Sequence, residues 1–221
     1  MNYWFYDLVK FVLQLFFRLG FGLEVSGREH VPKRGAFIVA ANHVSFLDPP
    51  LVGAVCPRRL RFLARTDLYR RPLLGAFLRG VHAIPLQRDA ADLAAMRAAL
   101  ACLRRGEAVT IFPEGGRQCS GELGVAKRGV GLLADTARAP IVPALVEGTF
   151  QALPPGARRL RRAKIRVAFG EPIPYTKWSS SSSRAHHEEL ADAVTRRWRG
   201  LAERRQDDRP RTREKGSTLI P

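Results

Sequence analysis

Little in this chain of 221 residues points to a redox or metal centre. Its three cysteines, Cys56, Cys102 and Cys119, are odd in number and widely spaced, with no CxxC pair and no zinc-type Cys/His cluster. That usage predicts reduced thiols packed as small residues in a cytosolic protein, and no metal. Acidic residues are also few, 20 against 37 Lys and Arg, so the formal net charge is +17. An excess of this size calls for an anionic partner, whether nucleic acid, acidic lipid or a phosphorylated substrate. The sequence has no internal repeat. It also lacks the clean run of about 20 apolar residues that a spanning helix needs. No basic start is followed by a small-residue cleavage site, so residues 3–23 are not expected to be a secretory leader.

The hydrophobic fraction of 46% suits one α/β domain with a real core. Residues 3–23 are rich in aromatic and branched side chains, interrupted by Asp7, Lys10, Gln14 and Arg18. Those four fall on one helical face, leaving Trp4, Phe5, Leu8, Phe11, Val12, Leu15, Phe16 and Leu19 for the other. The pattern predicts a helix lying in a membrane interface, against the alternative of a helix docked on the protein's own core.

Short apolar runs at 36–43, 60–65, 81–86, 108–113, 141–146 and 164–170 read as strands. Between them lie helical stretches. One begins after an Asp89 cap, places Leu93, Met96, Leu100 and Leu103 on one face, and stops at Gly106. Another runs from about Val125 to Arg138. Such alternation predicts a mostly parallel sheet flanked by helices, with its site at the carboxyl ends of the strands. The expected organisation is an interface helix over 1–23 and an α/β domain over 24–178. A serine linker and C-terminal helix follow over 179–205, then a basic, disordered tail over 206–221.

His43, Arg88, Glu114 and Arg117 each end or closely follow a strand candidate. In Asn42-His43-Val44-Ser45-Phe46-Leu47-Asp48, the chain can turn Asp48 back onto the imidazole. The carboxylate would fix the tautomer, leaving the other ring nitrogen to take a proton from a hydroxyl. In Phe112-Pro113-Glu114-Gly115-Gly116-Arg117, the glycines permit close backbone approach and the arginine offers a planar fork for phosphate. Arg88 ends the strand that follows Gly80, and Lys127-Arg128 adds positive charge before a helix.

Taken in order, these features resemble the glycerophospholipid acyltransferase family, in particular its 1-acylglycerol-3-phosphate type. Asn42 to Asp48 matches the block N-H-x-S-x-x-D completely. Gly80, Ile84 and Arg88 match the second block, FPEGGRQ (112–118) the third, and Val142-Pro143-Ala144-Leu145 the fourth. Residues 121–129 are similar to the family's G-x-x-x-x-F-K-x-G stretch, with Ala126 for phenylalanine. Gly116 and Gln118 stand where the family has threonine and serine.

The resemblance implies an α/β fold, an N-terminal membrane anchor on the cytoplasmic face, and direct acyl transfer without an acyl-enzyme or cofactor. His43 would be the base and Asp48 its orienting carboxylate. Arg88 and Arg117 would hold the acceptor phosphate, and Glu114 would order the turn or contact the glycerol. Gly115 and Lys127 would complete the substrate side. The donor is acyl-CoA or acyl carrier protein, and the expected partners are an anionic bilayer and a lysophospholipid. The acceptor expected first is 1-acylglycerol-3-phosphate, with lyso-ornithine lipid or another lysophospholipid as the alternative.

Three rival readings fare worse. A hydrolase using Ser45 would want a G-x-S-x-G elbow, which is absent. A nucleic-acid module would interleave aromatics with its arginines, but here the aromatics gather at the N-terminus. A catalytically inactive membrane binder is opposed by the intact His43 and Asp48. The other histidines, His30, His82, His186 and His187, read as surface or packing residues.

Overall fold

A computed structural model describes residues 3–86, 93–175 and 183–207. Helix α1 (Trp4–Phe21) leads into β1 (Glu24–Ser26), a 3-10 turn at Arg28–His30 and β2 (Phe37–Ala41). Next come α2 (Asp48–Val55), β3 (Leu60–Arg65), a 3-10 turn at Thr66–Arg70, α3 (Pro72–Gly80) and β4 (Ile84–Leu86). The remainder is α4 (Leu93–Arg104), β5 (Ala108–Ile111), α5 (Gly129–Ala137), β6 (Ile141–Glu147), α6 (Thr149–Ala152), β7 (Arg166–Phe169) and α7 (Ser183–Asp207). The seven strands form one sheet in the order β1-β7-β6-β2-β5-β3-β4. Every pairing is parallel except β6 with β7.

The parallel centre explains why β2 reads as an unbroken apolar run. All five of its residues are fully buried, because helices cover both faces. One core packs Phe17 and Phe21 of α1 with Leu51 and Val52 of α2 beneath the sheet. The other packs Ala99 and Leu103 of α4, Leu133 of α5 and Trp198 of α7 above it. Helix α7 is therefore part of the α/β body. It crosses α5 so closely that a side chain at Gly131 would strike the His187 backbone, at 2.2 Å.

The structure differs from the sequence reading in detail. Val81 and His82 form a turn, with His82 at φ 56, so β4 starts at Ile84 rather than 81. The α4 face that meets the core is Ala95, Ala99, Cys102 and Leu103, with Met96 and Leu100 half-buried beside it. Helix α5 begins at Gly129 because 121–128 is a loop tied back by Lys127 N–H to the Pro113 carbonyl. Asp89, the expected cap of α4, lies outside the described residues, as do residues 176–178, residues 179–182 of the serine linker and the tail from 208.

Helix α1 is docked, yet its apolar stripe is not what docks it. Tyr6, Phe17 and Phe21 are buried, while Trp4, Leu8, Phe11, Val12, Leu15, Phe16 and Leu19 remain exposed. The polar residues turn inward. Lys10 Nζ donates to the Cys56 carbonyl at 2.5 Å, and Gln14 Nε2 to the Ala54 carbonyl at 2.5 Å. Both satisfy acceptors at the carboxyl end of α2, where a cation is also favoured by the helix dipole. Burial pulls the Lys10 ammonium below its ordinary pKa. Asp7 is exposed and pairs with Arg59 at the flank, and Arg18 is exposed as well.

Candidate active site

Strand β2 is central, so its carboxyl end delivers Asn42 and His43 to the middle of the sheet edge. Asn42 extends the ladder with its side chain. Its Nδ2 donates to the Val146 carbonyl at 3.0 Å and its Oδ1 accepts the Val146 N–H at 2.7 Å. That bridge to β6 fixes the point at which the chain leaves the sheet.

His43 follows, with its Nδ1 2.9 Å from Asp48 Oδ2. The same oxygen accepts the backbone N–H groups of Val44 and Ser45, each at 2.7 Å. Asp48 is wholly buried as the first residue of α2, whose second and third positions are prolines. The turn and the imidazole therefore share one carboxylate oxygen. With Nδ1 donating to Asp48, Nε2 is the nitrogen left to accept a proton. The imidazole also stacks on Phe112, centroids 4.4 Å apart.

The glycine turn after β5 closes on this element. Glu114 Oε2 accepts the His43 N–H at 2.8 Å, Glu114 Oε1 accepts the Gly124 N–H at 3.0 Å, and the Gln118 N–H donates to the His43 carbonyl at 2.8 Å. Burial pushes the Glu114 carboxyl above its ordinary pKa, an effect that the two backbone donors partly offset. The geometry matches the first of the two roles expected for Glu114, ordering the turn, and leaves the glycerol contact untested. Each of its oxygens accepts a backbone N–H, which ties the turn to the end of β2.

Gly115 sits at φ 78, and a side chain there would meet the Lys127 ammonium at 2.7 Å. The turn and the exposed Lys127 thus lie against each other. Arg117 places its guanidinium 3.5 Å over the Phe46 ring centroid, and its buried Nη1 has no hydrogen-bond partner among the described residues. Arg88 lies outside the described residues, so the second expected arginine has no observed position.

A cavity of about 670 Å³ runs from His43 and Arg117 along one face of the sheet to Val9 and Leu13 of α1 and Phe77 of α3. It is lined mainly by apolar side chains, with Phe46, Phe62 and Phe112 among its walls. Both helices at its side carry exposed apolar residues, including Leu73 and Phe77 on α3. Ser45 takes no part in it: its buried hydroxyl donates to the Leu153 carbonyl at 2.7 Å and accepts the Leu47 N–H at 3.2 Å. Asn42, Phe112 and the backbone of Gln118 join the site without a mark of these contacts in the sequence. Asn42 lies inside the first block, but its partner is 104 residues away and carries no local signal.

A family model described as Acyltransferase matches residues 22–147, more than half of the chain, including His43, Asp48, Glu114 and Arg117. The chain belongs to the acyltransferase family. A similar relative is the 1-acyl-sn-glycerol-3-phosphate acyltransferase of Bacillus subtilis (strain 168), 26% identical over 89% of this chain and 96% of that one. The protein of the same name from Limnanthes alba is 32% identical over 72% of this chain, which spans 57% of the plant protein. Among solved structures, the 1-acyl-sn-glycerophosphate (LPA) acyltransferase PlsC of Thermotoga maritima superposes with a TM-score of 0.75 at 26% identity. That match covers 90% of this acyltransferase and 79% of the solved chain. The α/β fold with its mostly parallel sheet is thus the fold of that enzyme.

Proposed function

We propose that this acyltransferase moves a fatty acyl chain from acyl-CoA or an acyl carrier protein to the free hydroxyl of 1-acylglycerol-3-phosphate, yielding phosphatidic acid. The observation that carries this reading is a juxtaposition. A histidine–carboxylate pair and an arginine meet at one end of an apolar cavity whose other end reaches two helices with exposed apolar side chains. The names of the relatives point to the same acceptor.

In this mechanism His43 Nε2 takes the acceptor hydroxyl proton as that oxygen attacks the thioester carbonyl. The tetrahedral intermediate collapses, the C–S bond breaks, and the imidazolium returns the proton to the departing thiolate. Asp48 holds the imidazole in the required tautomer and stabilises its charged form. Arg117, together with Arg88 and Lys127, meets the acceptor phosphate, and Gly115 lets the chain approach it. No cofactor takes part. General-base help accounts for about 10²–10⁴ in rate, so orientation of the lipid in the cavity must supply much of the remainder.

We place the protein on the cytoplasmic face of the cell membrane with α1 in the interface. Among the described residues no helix is long and apolar enough to cross a membrane, and the exposed stripe of α1 suits a helix lying flat. An acceptor lipid could then reach His43 without leaving the leaflet. The test is an acyl thioester offered with a panel of lysolipids and the products read by mass. Phosphatidic acid should dominate. Transfer to lyso-ornithine lipid or a larger-headed lysophospholipid with none to 1-acylglycerol-3-phosphate would reassign the acceptor.

A further inference from the structure

A second cavity, of about 380 Å³, opens at the amino ends of β3 and β5, the opposite end of the sheet from His43. Its size falls in the range of ligand pockets, about 300–1,000 Å³. Four cations line it, Lys10, Arg58, Arg59 and Arg61, against two carboxylates, Asp7 and Glu107. The excess is arranged rather than diffuse. The guanidinium carbons of Arg59 and Arg61 lie 4.7 and 5.8 Å from the centre of the Tyr3 ring, which holds both forks on one surface. Arg59 engages Asp7 in a pair half exposed on both sides, which an incoming anion can exchange at little cost. Arg61 is anchored by Glu107 and the Tyr3 hydroxyl, so it would meet a ligand already in place.

The position of the mouth identifies the occupant. Tyr3 and Asp7 lie on the flank about 100° round from Trp4 and Leu8 of the exposed apolar stripe, with Lys10 deeper, against the end of α2. With that stripe in the interface, the flank lies at headgroup level. We propose that this cavity binds the phosphate-bearing headgroup of an anionic phospholipid, as a non-reacting site separate from the acceptor site. Tyr6, Lys10 and Val81 wall both cavities, so the headgroup site abuts the far end of the apolar one. The inference rests on the reading that α1 lies on the bilayer.

The experiment uses the full chain with vesicles of phosphatidylcholine alone or mixed with phosphatidylglycerol. It compares wild type with Arg59→Gln and the charge-neutral Tyr3→Ala by co-sedimentation. Phosphatidylglycerol should strengthen wild-type binding. Arg59→Gln should lose about fivefold of that gain, the effect of one well-placed cation at an anionic leaflet, and Tyr3→Ala should lose about twofold or more of it by releasing both forks. Both should match wild type on phosphatidylcholine alone and in turnover of a short-chain acceptor. If Tyr3→Ala keeps the whole gain, the attraction is diffuse charge and the site is refuted.

If no protein binds phosphatidylcholine alone, the bilayer reading fails instead. The cavity is then judged by dihexanoyl phosphatidylglycerol, which should raise the melting temperature of wild type and not of Arg59→Gln. Equal stabilisation of wild type by inorganic phosphate at the same concentration would overturn the headgroup as occupant.

Discussion

Glu114 Oε2 accepts the backbone N–H of His43 at 2.8 Å, which joins the end of β2 to the turn after β5. The side chain named by the third sequence block thus holds the backbone of the first. Glu114→Gln keeps the shape but turns an amide N–H₂ toward one of two backbone donors. A buried donor left without its acceptor costs about 1–3 kcal/mol. The variant should melt earlier and lose turnover, with the loss in kcat rather than KM for the acceptor. Unchanged kcat would mean that the position of His43 does not depend on Glu114.

His43 and Asp48 should separate in the same kind of experiment. His43→Ala removes a side chain at the sheet edge, so turnover should fall by about 10²–10⁴ while the melting temperature holds. Asp48→Asn also costs stability, because one buried oxygen serves three donors. Differential scanning calorimetry beside a single-turnover assay checks both. A His43→Ala protein within about tenfold of wild type would remove His43 as the general base.

Arg117→Lys keeps the charge and loses both the fork and the stacking on Phe46. Activity on 1-acylglycerol-3-phosphate should fall, through KM first, while a lysolipid acceptor lacking the phosphomonoester should be affected less. Equal losses on both acceptors would assign Arg117 to the fold of the loop.

Glu107 supplies a prediction for pH. Although burial opposes it, the forks of Arg61 and Arg105 hold its carboxyl down to about 2, against an ordinary 4.5. A depressed folded pKa stabilises the fold above the unfolded value, and that contribution is lost as pH falls through the window from 4.5 to about 2. The melting temperature of wild type should therefore drop more steeply across this window than that of Glu107→Gln. Parallel curves would show that Glu107 is not linked to folding.

Much of this architecture is legible in the chain. The run LRFLAR becomes β3 at Leu60–Arg65, and the buried strand at the first block becomes β2. Three-residue β1 escapes because so short a strand has no period, and the turn at His82 escapes because its positive φ leaves no mark in the residue type. The polar face of α1 shows the limit more clearly. Lys10 and Gln14 read as a solvent or headgroup face, yet they bond carbonyls 46 and 40 residues away at the end of α2. Only the fold reveals such partners.

The docking of α1 also decides how its membrane role is tested. Deleting residues 1–23 would strip Tyr6, Phe17 and Phe21 from the core, and a buried Phe→Ala alone costs about 3–5 kcal/mol. Point changes on the exposed stripe avoid this. Leu8→Asp and Phe11→Asp replace side chains that are 49% and 64% exposed, so the fold should survive. Burying an apolar side chain of this size is worth about 1.5–3 kcal/mol, so each change should weaken binding to neutral vesicles by roughly tenfold or more. The electrostatic part behaves differently. The Debye length falls from about 10 Å at 0.1 M salt to 3 Å at 1 M, which screens the arginines and leaves the apolar stripe unaffected. Wild type should therefore stay on vesicles at high salt, while Leu8→Asp/Phe11→Asp should bind only anionic vesicles at low salt. Co-sedimentation at both salt concentrations measures this. Retention of the double variant at 1 M salt would show that the exposed face of α1 is not the anchor.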